Sequence, residues 1–372
     1  MGNKMDVCAA NVIRNFEVAG EAEKISPYGN GHINDTYLVT MKEKAPRYIL
    51  QRINKHVFSR PDKVVENIAG VTAYIKNKVL ERCGDVQREV LNLIPTRDGD
   101  NYFFDDNEDY WRVYLFVENT NTFELPHSPE IFSESARAFG KFGSLLGEYP
   151  CEKLNITIPG FHDTPLRYQQ LRAALQADVY GRAKEVECEL EDVFKRETEA
   201  SKLCNMQKRG ELPVRVTHND TKLNNVLFDA DTNKWVCVID LDTIMPGLAV
   251  HDFGDAIRFG ANTSEEDEAD LDKCELSLPM FLAYTEGFLQ HTNNMLSEQE
   301  KLMLPMGAKI MTLECGVRFL TDYLSGDIYF KVHYRNQNLR RARNQLKLVQ
   351  SIEEKWTHMC AIVENIVNQI ND

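Results

Sequence analysis

Residues 216 to 243, VTHNDTKLNNVLFDADTNKWVCVIDLDT, put one apolar strand, Trp235 to Ile239, behind a polar loop, in a half of the chain whose other patterns are helical. The polar residues come in the order that phosphoryl transfer requires. Asp220 lies two residues after His218 and five before Asn225, and the strand then ends on Asp240 and Asp242. In this chemistry an aspartate accepts the proton of the attacking hydroxyl, while an asparagine amide oxygen and a further aspartate hold Mg²⁺ against the nucleotide phosphates. Magnesium prefers oxygen ligands and binds through one or two carboxylates plus substrate phosphates, so Asn225 and Asp240 make a sufficient protein set. If the strand continues, Asp242 shares a face with Asp240, as a second ligand or as a support for the first.

Two features nearby invite other readings. An isolated His-x-Asp is commonly a turn in which the carboxylate accepts backbone N–H groups; four parts in register argue for the site instead. His218 itself reads as a packed histidine that fixes the loop, and with no second histidine at helical spacing nothing recommends zinc. Asp252-Phe253-Gly254 spells a protein-kinase metal motif, but it falls too far after Asp220. Asp252 is better placed to accept backbone N–H groups of the 218–220 loop and so fix its shape.

A chain of 372 residues with 43% apolar and 27% charged residues has room for two domains or one large bilobal one. Its net charge of −14 argues against a nucleic-acid or anionic-membrane partner. The basic run Arg340, Arg341, Arg343 and Lys347 reads as a solvated helix face. The nine cysteines are scattered without a C-x-x-C pair, as reduced thiols are. No signal peptide and no run of 18 apolar residues is evident, and Asp6 stands where a myristoylation site needs Ser or Thr. These features together predict a cytoplasmic enzyme.

The expected architecture is α+β. Thr36 to Met41, Arg47 to Ile53, Tyr102 to Phe104 and Tyr110 to Val117 read as strands, interrupted by a helix that Pro61 opens and that carries Val64, Ile68, Val71 and Ile75 on one face. Residues 1–117 are therefore expected to form a nucleotide-covering lobe, the polar 118–125 a hinge, and 126–372 a helical catalytic and substrate lobe. Helical patterns occupy 130–147, 165–208, 273–292, 298–325 and 338–370, with the strand near 234–241 alone among them.

Ahead of the first predicted strand run Gly29, Asn30, Gly31 and His32. Two glycines around one residue let backbone N–H groups approach phosphate oxygens, although G-x-G is also an ordinary hairpin turn. His32 stands as a phosphate donor or as an exposed turn residue. No lysine occupies the strand that usually supplies a phosphate-binding cation. Arg52, with Glu66 on the following helix as its partner, is the substitute the sequence offers; an edge-strand surface arginine is the alternative.

Farther on, Glu314, Arg318 and Asp322 recur every four residues beside the apolar series Ile310, Leu313, Val317, Leu320 and Leu324. By pattern alone this is either a solvated ion-pair ladder or one wall of a site.

With these residues assembled, the chain resembles the aminoglycoside phosphotransferase and choline kinase superfamily, small-molecule relatives of protein kinases, and within it the bacterial N-acetylhexosamine 1-kinases. The likeness rests on YGNGHINDTYLVT at 28–40, PRYILQ at 46–51, RVTHNDTKLNNVL at 215–227, IDLDTIMPG at 239–247, DFGDAIRFGA at 252–261 and ECGVRFLTDYLSGDIYF at 314–330. The resemblance implies a protein-kinase-like bilobal fold, with a small antiparallel β-sheet lobe carrying one main helix and a larger, mainly helical lobe. It implies ATP and Mg²⁺, and phosphorylation of the C1 hydroxyl of N-acetylglucosamine or N-acetylgalactosamine. Carried onto matching positions, it makes Asp220 the base, Asn225 and Asp240 the metal ligands, and Gly29 to His32 the phosphate loop, and it puts Arg318 and Tyr329 near the sugar. Arg318 offers fixed donors, Asp322 an acceptor, and Tyr323 and Tyr329 aromatic faces. Another hydroxyl acceptor, such as an aminoglycoside, choline or a different sugar, is the alternative, and the missing strand lysine is a departure from the wider superfamily.

Overall fold

The computed structural model describes residues 2–29, 33–42 and 45–371, with the backbone alone for 2–7 and 371. The elements run α1 (Gly2–Ile13), β1 (Ala22–Pro27), β2 (Asp35–Met41), β3 (Tyr48–Arg52), α2 (Pro61–Glu81), β4 (Leu93–Ile94), β5 (Phe103–Phe104), β6 (Tyr110–Leu115) and β7 (Thr120–Asn121). They continue as α3 (Pro129–Leu145), α4 (Thr164–Ala177), α5 (Glu187–Phe194), α6 (Glu197–Ala200), α7 (Lys202–Lys208), β8 (Arg215–Thr217), β9 (Val226–Asp229), β10 (Trp235–Val238), α8 (Ala249–Gly260), α9 (Leu278–Thr292), α10 (Glu298–Leu302), α11 (Leu304–Leu324), α12 (Gln337–Glu354) and α13 (Trp356–Asn371). The fold is α+β and protein-kinase-like.

By internal packing the chain forms two units. One comprises 1–121, 148–159 and 226–245; the other comprises 122–147, 160–225 and 246–372. Neither is contiguous in sequence.

In the first unit an antiparallel sheet is ordered β1-β2-β3-β6-β4, with β5 also paired to β6. One face is closed by α1, whose Ala9, Val12 and Ile13 pack with Tyr37, Val39, Leu50, Trp111 and Val113. These strand residues alternate along the chain, as burial of one sheet face requires. The apolar face of α2 is buried through Val64, Val65, Ile68, Val71, Ile75 and Val79. The strand expected to stand alone near 234–241 has partners: β10 pairs with β9, and β9 with β7, which lies within the polar 118–125 segment.

The second unit is helical, and its core gathers Phe132, Tyr168, Phe253, Phe281, Tyr284, Leu313 and Val317 among others. Helix α11 packs on α4, α8 and α12. The α8–α11 approach is as close as backbones allow. A methyl on Gly254 would lie 2.2 Å from the Gly307 carbonyl oxygen, and one on Gly307 would lie 2.1 Å from that of Val250. The glycine of Asp252-Phe253-Gly254 is therefore a packing residue. The long helical patterns break where the chain turns: 298–325 divides at Met303, and 338–370 at Lys355. Among the described residues no helix is long and apolar enough to cross a membrane, and all nine cysteines are free thiols.

Candidate active site

The loop after β8 is shaped from beneath by helix α8. Asp252 accepts the His218 and Asn219 backbone N–H groups through its two oxygens, at 2.8 Å each. Its own carbonyl accepts the Thr221 hydroxyl at 2.5 Å, and Asp255, one turn on, accepts the Thr221 N–H at 3.1 Å. Arg258 in turn pairs with Asp255 at 2.9 Å. One helix face thus satisfies successive backbone donors and holds Asn219 at φ +64°, a left-handed conformation that asparagine tolerates. His218 is fully buried, with its ring edge-on to Phe139 and Phe142 at 5.3 and 5.9 Å. It is the packed histidine the sequence suggested.

This loop presents Asp220. Its Oδ1 lies 2.8 Å from Lys222 Nζ, and its Oδ2 accepts the Asn225 amide at 3.0 Å. Burial pushes the Asp220 carboxyl up, but the adjacent Lys222 ammonium, with the His218 and Asn225 contributions, more than offsets this and the net direction is downward. Asp220, in turn, is what raises the Lys222 ammonium most. Lys222 was missed by sequence reasoning, although its spacing two residues after the candidate base was a readable signal. The Asn225 Nδ2 also donates to the Asp220 carbonyl at 2.8 Å, so the amide is oriented with its nitrogen toward Asp220. The amide oxygen is the atom type that a hard cation takes as a ligand.

The other candidate ligands belong to the first unit. β10 ends at Val238, and Asp240 is exposed at φ +58°, so the strand does not continue to Asp242. Asp242 sits instead in a tight turn, Leu241–Thr243, and is buried. Its Oδ1 lies 2.6 Å from Arg112 Nη1, and its Oδ2 accepts the Asn34 amide at 2.6 Å. No cluster of three or more His, Cys, Asp or Glu suited to a metal occurs among the described residues.

Gly29 has φ +74°; Asn30, Gly31 and His32 lie outside the described residues. Arg52 pairs with Asp35, and with Asp109 at 3.1 Å. The partner expected for it, Glu66, is bound to Lys63 instead. The cause is strand alternation: Arg52 follows Leu50 onto the face covered by α1, away from Gln51 and α2.

On α11 the three charged residues diverge. Arg318 is surrounded by aromatic rings, its guanidinium 5.5, 5.8 and 5.4 Å from the centroids of Phe161, Tyr329 and Phe330. Tyr329 is 65% exposed and its hydroxyl lies 3.5 Å from Arg318 Nη2. Glu314 is buried against His162 at 2.9 Å and the Thr164 hydroxyl at 2.6 Å. Burial would raise the Glu314 carboxyl, but those two hydrogen bonds and the His162 and Arg318 charges bring it down to about 2. Asp322 uses both oxygens on the following segment, accepting the Ile328, Tyr329 and Phe330 N–H groups at 2.8–3.0 Å and the Asn338 amide at 2.8 Å. Tyr323 is buried, donates to Glu185 at 2.7 Å and is covered by Arg182. The pattern is thus neither an ion-pair ladder nor a set of like groups: Arg318 and Tyr329 come together, while Asp322 and Tyr323 hold the segments around them.

A match to the phosphotransferase enzyme family, APH, runs over residues 24–275. The chain belongs to that family. Three solved structures illustrate the shared fold. An aminoglycoside phosphotransferase from Alicyclobacillus acidocaldarius is 12% identical at TM-score 0.61, with 96% of each chain covered. An ethanolamine kinase from Plasmodium vivax is 14% identical at TM-score 0.56, over 88% of this chain and 83% of that one. A spectinomycin phosphotransferase in complex with ADP and spectinomycin is 11% identical at TM-score 0.57, over 95% of this chain and 98% of that one. By that membership the chain is a phosphotransferase.

Proposed function

We propose that the enzyme transfers the γ-phosphoryl group of ATP to the anomeric hydroxyl of N-acetylglucosamine or N-acetylgalactosamine, giving the sugar 1-phosphate. The observation that carries the reading is the Asp220 carboxylate, held between Lys222 and the Asn225 amide on a loop whose backbone donors are bound by Asp252. Asp220 orients the acceptor hydroxyl and takes its proton late. An anomeric hydroxyl is more acidic than an ordinary alcohol, so a carboxylate kept below its usual range is still an adequate acceptor. Most of the rate then comes from positioning and charge neutralisation. The Asn225 carbonyl oxygen and the exposed Asp240 carboxylate are the residues that would hold Mg²⁺, which supplies neutralisation of phosphate charge when bound.

For the acceptor, Arg318 and Tyr329 support a neutral sugar. The guanidinium offers several donors to an acetamide or hydroxyl oxygen, and aromatic faces suit sugar C–H groups. A cationic acceptor such as choline or an aminoglycoside would meet a like charge there. In this proposal Asp322 and Tyr323 serve by holding the 328–330 segment and its surroundings in place. ADP release measured with N-acetylglucosamine, N-acetylgalactosamine, galactose, choline and an aminoglycoside tests it. Turnover should be highest with the two amino sugars; turnover with choline or the aminoglycoside alone would replace the reading with the second one, a kinase of another hydroxyl acceptor.

A further inference from the structure

The sheet of the first unit has a buried cation on the face opposite Arg52. Arg112 on β6 is 1% exposed and is the register partner of Gln51 on β3. Gln51 Oε1 accepts from Arg112 Nε and Nη2 at 3.0 and 2.9 Å, and Gln51 Nε2 donates to the Thr36 hydroxyl at 3.0 Å. The remaining Arg112 nitrogen, Nη1, meets Asp242 Oδ1. Beyond Asp242 the chain of contacts continues. Asn34, directly after the glycine loop and the residue that follows it, donates to Asp242 Oδ2 and accepts the Asn54 backbone N–H at 3.0 Å, while Asn54 donates to the Ile33 carbonyl at 3.1 Å. The same turn is held at its far end by α2, where buried Asn67 donates to the Ile244 carbonyl at 3.0 Å.

We propose that Asp242 is a positioning residue and not a metal ligand. Held between Arg112 and Asn34, it fixes the turn that carries Asp240 and ties that turn to the stem of the glycine loop. Nucleotide phosphates then meet both at one geometry. An ion pair buried this deeply contributes little net stability against an apolar pair, because both charges have lost their water. What it supplies is a unique arrangement: one guanidinium nitrogen at one oxygen, with the other two held by Gln51, an amide at the other oxygen, and a backbone turn that cannot slide without leaving a charge unpaired. Asp240 has φ +58°, a left-handed conformation that glycine, asparagine and aspartate visit more readily than other residues and that well-fixed surroundings help to hold. The flanking contacts at Asp242 and Ile244 are such surroundings. The inference rests on the phosphoryl-transfer half of the proposed function and is independent of the acceptor.

Equilibrium binding of a fluorescent ATP analogue, titrated with Mg²⁺, separates the two roles, with thermal melting as the check on folding. Asn34→Ala, at a half-buried loop stem, should melt near the wild-type temperature and weaken nucleotide binding by about tenfold, the scale of one charge-assisted hydrogen bond. Asp242→Asn should weaken it similarly while leaving the half-saturating Mg²⁺ concentration within about twofold, and the double variant should be little worse than either alone, because both break one link. Asp240→Asn should move the Mg²⁺ requirement by about tenfold or more, as loss of a ligand does. If Asp242→Asn melts early, Arg112→Lys, which keeps the charge and loses the fork, takes its place. The proposal is overturned if Asp242→Asn shifts the Mg²⁺ requirement as far as Asp240→Asn, or if Asn34→Ala binds nucleotide normally. A wild-type protein that binds no nucleotide would instead remove the phosphoryl-transfer reading itself.

Discussion

Asp220 is the residue on which the proposed chemistry turns, and its neighbours set how it titrates. Asp220→Asn should lower kcat by roughly 10²–10⁴-fold, the range for a lost general base, with nucleotide binding retained. The Lys222 ammonium holds the Asp220 carboxyl below its ordinary value, so the base is ionised through neutral pH. The acid limb of kcat/KM should therefore fall below about pH 4, the ordinary carboxylate range. Removing that cation raises the carboxyl, and Lys222→Met should shift the acid limb to higher pH; an unmoved limb would show that Lys222 does not act on the base. Residues in local sequence register were legible: the packed His218, the contact between Asp220 and Asn225 and the loop-binding role of Asp252 agree with the spacing. Arg112 was not, because its partners Gln51, Asp242 and, through Asp242, Asn34 are brought to it by strand register and a turn, neither of which leaves a short-range mark.

At the scale of elements, α8 links the site to the core. One side of this helix binds the 218–221 backbone, and Gly254 on it permits contact with α11. Gly254→Ala places a methyl against the Gly307 backbone, where no side chain can move aside, and should cost about 1–3 kcal/mol or more in chemical denaturation, the overpacking range. His251 on the same helix is buried, with its ring 5.3 Å from that of His162. Burial first, and the His162 charge second, hold its imidazole down to about 3. Protonation is thus disfavoured in the folded state, so the stability contributed by neutral His251 is complete above about pH 6.5 and is lost as pH falls toward 3. In His251→Gln the difference in stability between pH 7 and pH 4 should shrink; an unchanged difference would remove this account. The helix itself escaped the sequence patterns, because Gly254, Gly260, Asp252 and Asp255 interrupt its apolar face for reasons that only its partners explain. β1 and the pairing of β9 with β7 escaped likewise: the former is largely exposed, and the latter joins residues far apart in the chain.

Over the whole molecule, membership of the phosphotransferase enzyme family agrees with the broad plan of strands first and helices after, which alternation and helical spacing made legible. The two packing units were less so, since 148–159 and 226–245 join the first unit from within the helical half. In the proposed function the acceptor is the property that distinguishes this enzyme from relatives of the same fold, and its choice is assigned to a few contacts around Arg318 and Tyr329. Arg318→Met should raise KM for the amino sugar by about tenfold or more, with KM for ATP little changed, as loss of a charged donor to one substrate predicts. The most direct test of the central claim is phosphorus–proton correlated NMR of the product formed from ATP and N-acetylglucosamine. The account predicts phosphorus coupled to the anomeric proton, and phosphorus coupled to the C6 methylene protons would contradict it.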